Sequence, residues 1–253
     1  MYGFVSSRVA GWLASVGAVS HFTSEVALGL RDVRTWSSLL VTQMRRIGVN
    51  SVPIALFIAT FTGVVLALQA SYTFTGAVPM YFVGTLVGKT LMLELGPVLT
   101  GLALAGRVGA NIAAELGTMK VTEQVDALET LAYNKFSYLV VPRVLAAALM
   151  FPIVVSMSTA LGIVTGWITA INLLDLSSFE FFKGLRLFYE FKDVWFGLVK
   201  SVSFGFVIAL IGCLKGLGAA GGAEGVGRAA TEAVVAGAAM ILVLDAFWAV
   251  VLL

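Results

Sequence analysis

Apolar residues run along this chain in five long blocks, roughly 49–71, 80–107, 143–172, 194–216 and 231–253, and charge collects in the shorter stretches between them. As a helix rising about 1.5 Å per residue, each block can cross about 30 Å of hydrocarbon with some tilt. The pattern predicts an all-α integral membrane protein with about five transmembrane helices. The first 45 residues read differently. Val5, Val9, Trp12, Leu13 and Val16 recur at helical spacing with Arg8 and Ser15 between them, which suits an amphipathic helix lying in the membrane interface. The chain therefore divides into an N-terminal interfacial region over 1–45 and a transmembrane domain over 46–253. Arg8 and the apolar run after it have the outline of a signal peptide, but Gly and Ser interrupt the run and no cleavage is expected.

The links between the blocks carry further structure. Link 72–79 has no charge, whereas 107–143 holds Arg107, Lys120, Lys135 and Arg143, and 215–230 holds Lys215 and Arg228. With Arg31, Arg34, Arg45 and Arg46 near the N-terminus, the positive-inside rule puts the N-terminus and these two links in the cytoplasm and the C-terminus outside. Link 173–193 is mixed, its Lys183, Arg186 and Lys192 offset by Asp175, Glu180, Glu190 and Asp193. Within it, Ser177-Ser178-Phe179-Glu180 reads as a capping box, and Phe181, Phe182, Leu185 and Phe188 follow. A short amphipathic helix on the outer surface is expected there. A second short helix is expected between Thr122 and Tyr133. Thr122 would cap it, and Glu123 and Asp126 would favour its N-terminus. Val125, Leu128 and Leu131 or Ala132 would form its apolar face. It is either a solvated turn or a docking element for a basic groove on another protein.

Composition sharpens the class. The chain is 59% hydrophobic and 12% charged, with a mean hydropathy of +0.99, against about 25% charged residues in soluble domains. A net charge of +2 is too small to suggest nucleic acid. Cys213 and His21 are single residues of their types, so neither a disulfide nor a metal site is predicted. Two glycine patterns imitate nucleotide sites. Gly84-Thr85-Leu86-Val87-Gly88-Lys89-Thr90 is one residue short of a P-loop and opens an apolar block rather than following a strand. Gly216, Gly218 and Gly221 match a dinucleotide fingerprint with no βαβ unit around them. Gly221, Gly222, Gly225 and Gly227 are read instead as a glycine-rich hinge between two membrane helices. No catalytic constellation is apparent, no cofactor is expected on this chain, and any ATPase must be a separate polypeptide.

Ionisable groups inside apolar blocks are costly and usually face a cavity or a partner. Glu94 lies about 14 residues into its block, and Gly96-Pro97 follows, where proline removes a hydrogen bond and kinks the helix. The carboxylate marks a pocket or moving joint, or else a structural pair with a basic neighbour. Lys200 either snorkels outward or points into a central cavity, and Asp245 poses the same question. Gln69 and Tyr72, near the outer end of the first block, either line a cavity or pack between helices. Gly162 and Gly166, and Gly212 and Gly216, have the spacing of close helix contacts, within the chain or across a dimer.

One stretch, ELGPVLTGLALAGRVGANIAAELGTMKVTEQVDALE from Glu94 to Glu129, closely resembles the signature of MlaE-type permeases. These are the membrane subunits of ABC systems linked to MCE proteins, including the bacterial Mla, mycobacterial Mce and chloroplast TGD lipid systems. GGAEGVGRAATEAVV from Gly221 to Val235, followed by ILVLDAFW, resembles a second part of that signature, and the likeness runs from about residue 40 to the end. The resemblance implies a homodimer in the bacterial inner membrane, driven by two cytoplasmic ATPases that bind ATP and Mg2+. In the Mla type a STAS-domain protein binds the ATPase. An MCE-domain ring over the outer face would exchange phospholipid with a cavity at the dimer interface. In family terms Glu123, Gln124, Asp126, Leu128 and Glu129 look like the coupling helix, and Gln69, Tyr72, Glu94, Lys200 and Asp245 like polar positions near the lipid cavity. The chain departs from some members by having Leu93, not a basic residue, before the ELGP glutamate, which removes one headgroup contact. The expected function is the permease subunit of an ABC transporter moving phospholipid between the inner membrane and an MCE-protein shuttle. An ion-coupled secondary transporter using Glu94 and Asp245, or a structural anchor, are the competing readings.

Overall fold

The computed structural model describes residues 17–74 and 78–252. The amphipathic stretch from Val5 to Val16 and residues 75–77 of the first link lie outside the described residues. A helix over residues 17–29 (α1) leads to α2 (Val33–Ile47). Gly48 and a 3-10 turn, Val49–Ser51, form an elbow into α3 (Val52–Thr73), whose first turn holds a proline, where the missing N–H costs nothing. The second long helical run is made of α4 (Phe82–Thr90), a π turn (Leu91–Leu95), α5 (Gly96–Leu104), a second π turn (Ala105–Gly109) and α6 (Ala110–Val121). A short helix, α7 (Gln124–Thr130), and a third π turn (Phe136–Val140) precede α8 (Val141–Leu173). The chain ends with α9 (Ser178–Leu187), α10 (Phe191–Leu217) and α11 (Gly222–Leu252). No strand occurs among the described residues.

Among the described residues, five helical runs are long and apolar enough to cross a membrane: Val33–Thr73, Phe82–Val121, Phe136–Leu173, Phe191–Leu217 and Gly222–Val251. The chain is thus an all-α, multi-pass membrane protein, as the apolar blocks predict. The boundaries shift, however. The second run continues helically to Val121, so much of what reads as link 107–143 is helix. The last run begins at Gly222, which places Gly225 and Gly227 inside its first turns rather than in a hinge. The turn itself is confined to residues 218–221, where Gly221, like Gly222 after it, has positive φ, of 90° and 69°. Gly225 is needed for a different reason: a Cβ there would overlap the Ala220 carbonyl oxygen of the same turn.

Close packing without side chains holds α3 to α8 and α10 to α6. A Cβ on Gly63 would overlap the Gly162 carbonyl oxygen, and one on Gly166 would press on Val87. Gly212 and Gly216 lie against the Gly109 and Ala113 carbonyls, at 3.1 and 2.9 Å from where their Cβ atoms would sit. Both small-residue pairs therefore serve contacts within this chain, where backbone proximity replaces side-chain packing. Large side chains fill the rest. Phe151, Phe204, Leu104, Leu116, Ile208 and Ile241 are buried in one core, and Leu66, Val83, Val87, Leu91 and Phe181 in a second that packs α9 against α4.

Helix α9 forms as its sequence predicts. The Ser177 hydroxyl accepts from the Glu180 backbone N–H, and the Glu180 carboxylate accepts from the Ser177 N–H at 3.1 Å. The Ser177 hydroxyl also donates to the Glu180 carboxylate at 2.8 Å, and this bond, followed by the one from the Ser177 N–H, holds the Glu180 carboxyl below its ordinary range. The P-loop-like glycines turn out to seat this helix. Gly84 lets the α9 backbone approach at Phe181 and the Thr85 hydroxyl donates to the Gly184 carbonyl at 2.6 Å, while Lys89 meets Asp193 of α10 at 3.5 Å.

Candidate functional site: a buried ion triad and an exposed acidic helix

The Gly96-Pro97 pair shapes the backbone around Glu94. In a regular helix the Pro97 N–H would bond the Leu93 carbonyl, but proline has no N–H. The run widens into a π turn over Leu91–Leu95, in which the Gly96 N–H reaches back to the Leu91 carbonyl. Gly96 has to be glycine here, because a Cβ would overlap that carbonyl oxygen and the Thr159 hydroxyl. The exposed Leu93 carbonyl is taken by another helix: Lys200 Nζ, from α10, donates to it at 3.1 Å. The same ammonium donates to Glu94 Oε1 at 2.8 Å and to Asp245 Oδ1, from α11, at 2.9 Å. An ammonium has three donors, and all three are used. The Lys200 side chain is 3% exposed, against 36% for Glu94 and 22% for Asp245.

The structure thus answers the question each of these residues poses singly. Lys200 neither snorkels nor faces an open cavity, and Glu94 and Asp245 are its two counter-charges. The triad ties the π turn, α10 and α11 together at one depth. Gln69 and Tyr72 do not join it. They are exposed on α3, Tyr72 at 86%, on a stripe that continues through Phe57, Phe61, Val65 and Leu68.

Helix α7 occupies the predicted place, with a different cap. Thr122 turns its hydroxyl back to the Thr118 carbonyl at 2.8 Å and caps nothing. Glu123 is the N-cap residue, held in the left-handed region at φ 60°. The other end closes on Ala132, also left-handed at φ 61°. There the Tyr133 N–H bonds the Leu128 carbonyl and the Ala132 N–H the Glu129 carbonyl, a Schellman closure without glycine. Two non-glycine residues in this region are strain retained only where the surrounding fold fixes them. The seven-residue helix is thus clamped at both ends.

Its side chains sort only partly as the sequence suggests. Val125 is buried and Leu128 packs inward against the core, so Leu128 is not part of the free surface. Asp126 pairs with Lys120 at 2.8 Å and Glu129 with Lys135 at 2.7 Å. Glu123 and Gln124 are exposed, and Glu123 makes no ion pair among the described residues. Leu131 is 69% exposed beside the half-exposed Tyr133, so the outer face of this element carries an apolar tip that the sequence reading assigns to the inner face.

A third polar group joins α2, α6 and α8. Glu115 Oε1 accepts from Arg46 at 3.0 Å and pairs with the guanidinium of the buried Arg143 at 3.1 Å. Arg107, in the second π turn, donates to the Ser51 hydroxyl at the elbow. Sequence reading counts these arginines only as orientation signals. The polar stripe Arg107, Asn111, Glu115, at i, i+4 and i+8 of one helical run, is the signal that marks them as a group.

A family profile described as "Permease MlaE" matches residues 40–251. A protein of Rickettsia felis named "Probable ABC transporter permease protein" is 41% identical over 239 residues, 94% of this chain and 92% of its own length. A "Probable ABC transporter permease protein" of Synechocystis is 38% identical over 93% of this chain and 90% of its own. One of the red alga Porphyra purpurea is 33% identical over 88% and 85%.

Proposed function

Because the chain belongs to the MlaE permease family, an ABC transporter permease, we propose that it is the subunit that moves phospholipid between the bacterial inner membrane and an MCE-protein shuttle. A separate cytoplasmic ATPase, binding ATP and Mg2+, supplies the energy, and this chain is not itself an enzyme. It works as a homodimer, its N-terminus in the cytoplasm and its C-terminus in the periplasm. A STAS-domain protein joins through the ATPase.

The observation that carries this reading is continuity. One helical run from Phe82 to Val121 contains Glu94, ion-paired in the membrane core, and leads directly into the exposed α7. A motor gripping α7 acts on the same run that the triad locks. Phospholipid as cargo rests on the family resemblance together with the apolar stripe of α3 that ends at Gln69 and Tyr72. The proton-coupled alternative is less favoured by the geometry, since both carboxylates it needs are engaged by Lys200.

The test is purification of the native complex followed by lipid mass spectrometry. An ATPase and an MCE protein co-purifying with phospholipid support the reading. A lone chain that transports under a pH gradient in liposomes without an ATPase refutes it. Within the complex, E123K and L131D are expected to release the ATPase, more so than D126K or E129K, whose carboxylates are already paired. Full assembly and coupled ATP hydrolysis in E123K/L131D would remove α7 from the docking surface.

A further inference from the structure

We propose that the elbow between α2 and α3 is a phosphate-binding site, built by Arg107 and Arg46 around a polar cavity at headgroup depth. The cavity measures about 310 Å3 and is lined by Gln43, Arg46, Asn50, Arg107, Asn111 and Glu115 among its polar groups, within the usual range of about 300–1,000 Å3 for small-ligand pockets. Its charges do not balance. Of the lining groups, Arg46 and Arg107 carry two positive charges against the single carboxylate of Glu115, and Glu115 also faces Arg143, which lies outside the lining. Here two guanidinium groups share a single oxygen of Glu115, and Arg107 has only a neutral hydroxyl. The three amides of Gln43, Asn50 and Asn111 add neutral donors to the same wall.

Depth identifies the anion. Arg107 lies 107 − 82 = 25 residues beyond Phe82 on one helical run, about 37 Å at the rise of an α-helix. The hydrocarbon core is about 30 Å thick, so with Phe82 at the opposite face of the bilayer the cavity comes level with the phosphates of the leaflet on the α7 side. Guanidinium groups bind phosphate with paired N–H donors, and side-chain amides complete such sites. The ligand is therefore a phosphate group, either in the headgroup of a lipid in that leaflet or as a free phosphate. The site is separate from the Lys200 triad, being 13 residues further along the run (107 − 94), or about 20 Å, and its existence does not rest on the transport reading.

The experiment uses the full chain, delipidated in detergent, with phosphatidylglycerol and inorganic phosphate as probes. Native mass spectrometry counts bound lipid, and the melting temperature reports phosphate. The parent should retain one phosphatidylglycerol per site or be stabilised by phosphate, and R107Q should weaken binding about tenfold. R107K should fall between them, because an ammonium cannot offer two parallel donors. N111A removes an exposed amide outside every ion pair and tests the site with the salt links intact. Retained lipid that millimolar phosphate does not displace identifies a headgroup site, and saturable stabilisation by phosphate alone identifies a soluble ligand. Binding of neither probe, or equal binding by the parent, R107Q and N111A, overturns the proposal.

Discussion

Replacing Lys200 with methionine tests the triad most directly. The substitution leaves an unbranched side chain one atom shorter and removes one charge and three hydrogen bonds. At 2.8 and 2.9 Å, each ion pair is worth roughly 6 kcal/mol of gross Coulomb energy at an effective dielectric of about 20. Most of that is offset by the desolvation of Lys200, which is almost fully buried. The cost of the variant is therefore set by what it leaves behind. Glu94 and Asp245 lose their common counter-charge, and the Leu93 carbonyl loses the donor that replaces the missing Pro97 N–H. Breaking a fully buried pair costs about 3–5 kcal/mol, and the partial exposure of both carboxylates favours the lower end. A loss of about 3 kcal/mol lowers the melting temperature of a chain this size by about 6–12 °C. Thermal unfolding in detergent, followed by tryptophan fluorescence, measures it. The triple variant K200M/E94Q/D245N removes the orphaned charges as well and should recover much of the loss. If K200M melts with the parent, or the triple variant is no better than K200M, the three groups do not form the energetic unit described.

Other expectations follow from single contacts. Gly63→Ala should force α3 from α8, because its methyl has no space beside the Gly162 carbonyl. A destabilisation at or above about 1–3 kcal/mol is expected, and a melting temperature equal to the parent's would contradict the packing. Ala132→Gly relieves the left-handed residue that closes α7 and should slow amide exchange in that helix by a stabilisation of about 1 kcal/mol. Faster exchange would mean that the end of α7 is not closed in this way. The Glu180 carboxyl, ordinarily near 4.5, is depressed by its capping bonds. Its contribution to α9 is therefore present above the unfolded value and is lost as pH falls through the lower folded value. Hydrogen exchange of α9, corrected for intrinsic rates, should show protection at neutral pH that fades in acid, and Glu180→Gln should remove that pH dependence.

How much of this is legible in the sequence depends on the range of the interaction. The spans follow from local hydropathy, and the α9 cap from four adjacent residues, so both can be read directly. Glu94, Lys200 and Asp245 can each be flagged as expensive, yet their partnership bridges separations of 106 and 45 residues, which no local pattern encodes. Gly225 and Gly227 mislead because clustered glycines read as a turn, whereas the turn covers only residues 218–221 and both lie in the first turns of α11, Gly225 against the Ala220 carbonyl and Gly227 with no neighbour among the described residues within 4 Å of where its Cβ would sit. Leu131 misleads because the left-handed Ala132 ends the helix one residue after it, so a periodicity extrapolated from Val125 and Leu128 no longer applies.

The role of Pro97 shows why the site requires all its parts together. Proline at that position leaves the Leu93 carbonyl without its helical donor, at a depth where water does not repair the loss and an unpaired group costs several kcal/mol. The π turn widens the backbone and presents that carbonyl sideways, and Lys200 reaches it from the neighbouring helix. An ammonium brought there needs compensation in turn, and Glu94 and Asp245 provide it from two different helices. One helix defect thus sets the need for a cation, and the cation sets the need for two carboxylates. Remove the defect and the lysine has no reason to be buried; remove the lysine and the defect has no donor. The second π turn repeats the theme nearer α7, where Arg107 on the widened backbone reaches Ser51 at the elbow. Helices yield and kink at such turns. The run that joins the triad to α7 therefore carries its two compliant points at the places where it is fastened to its neighbours.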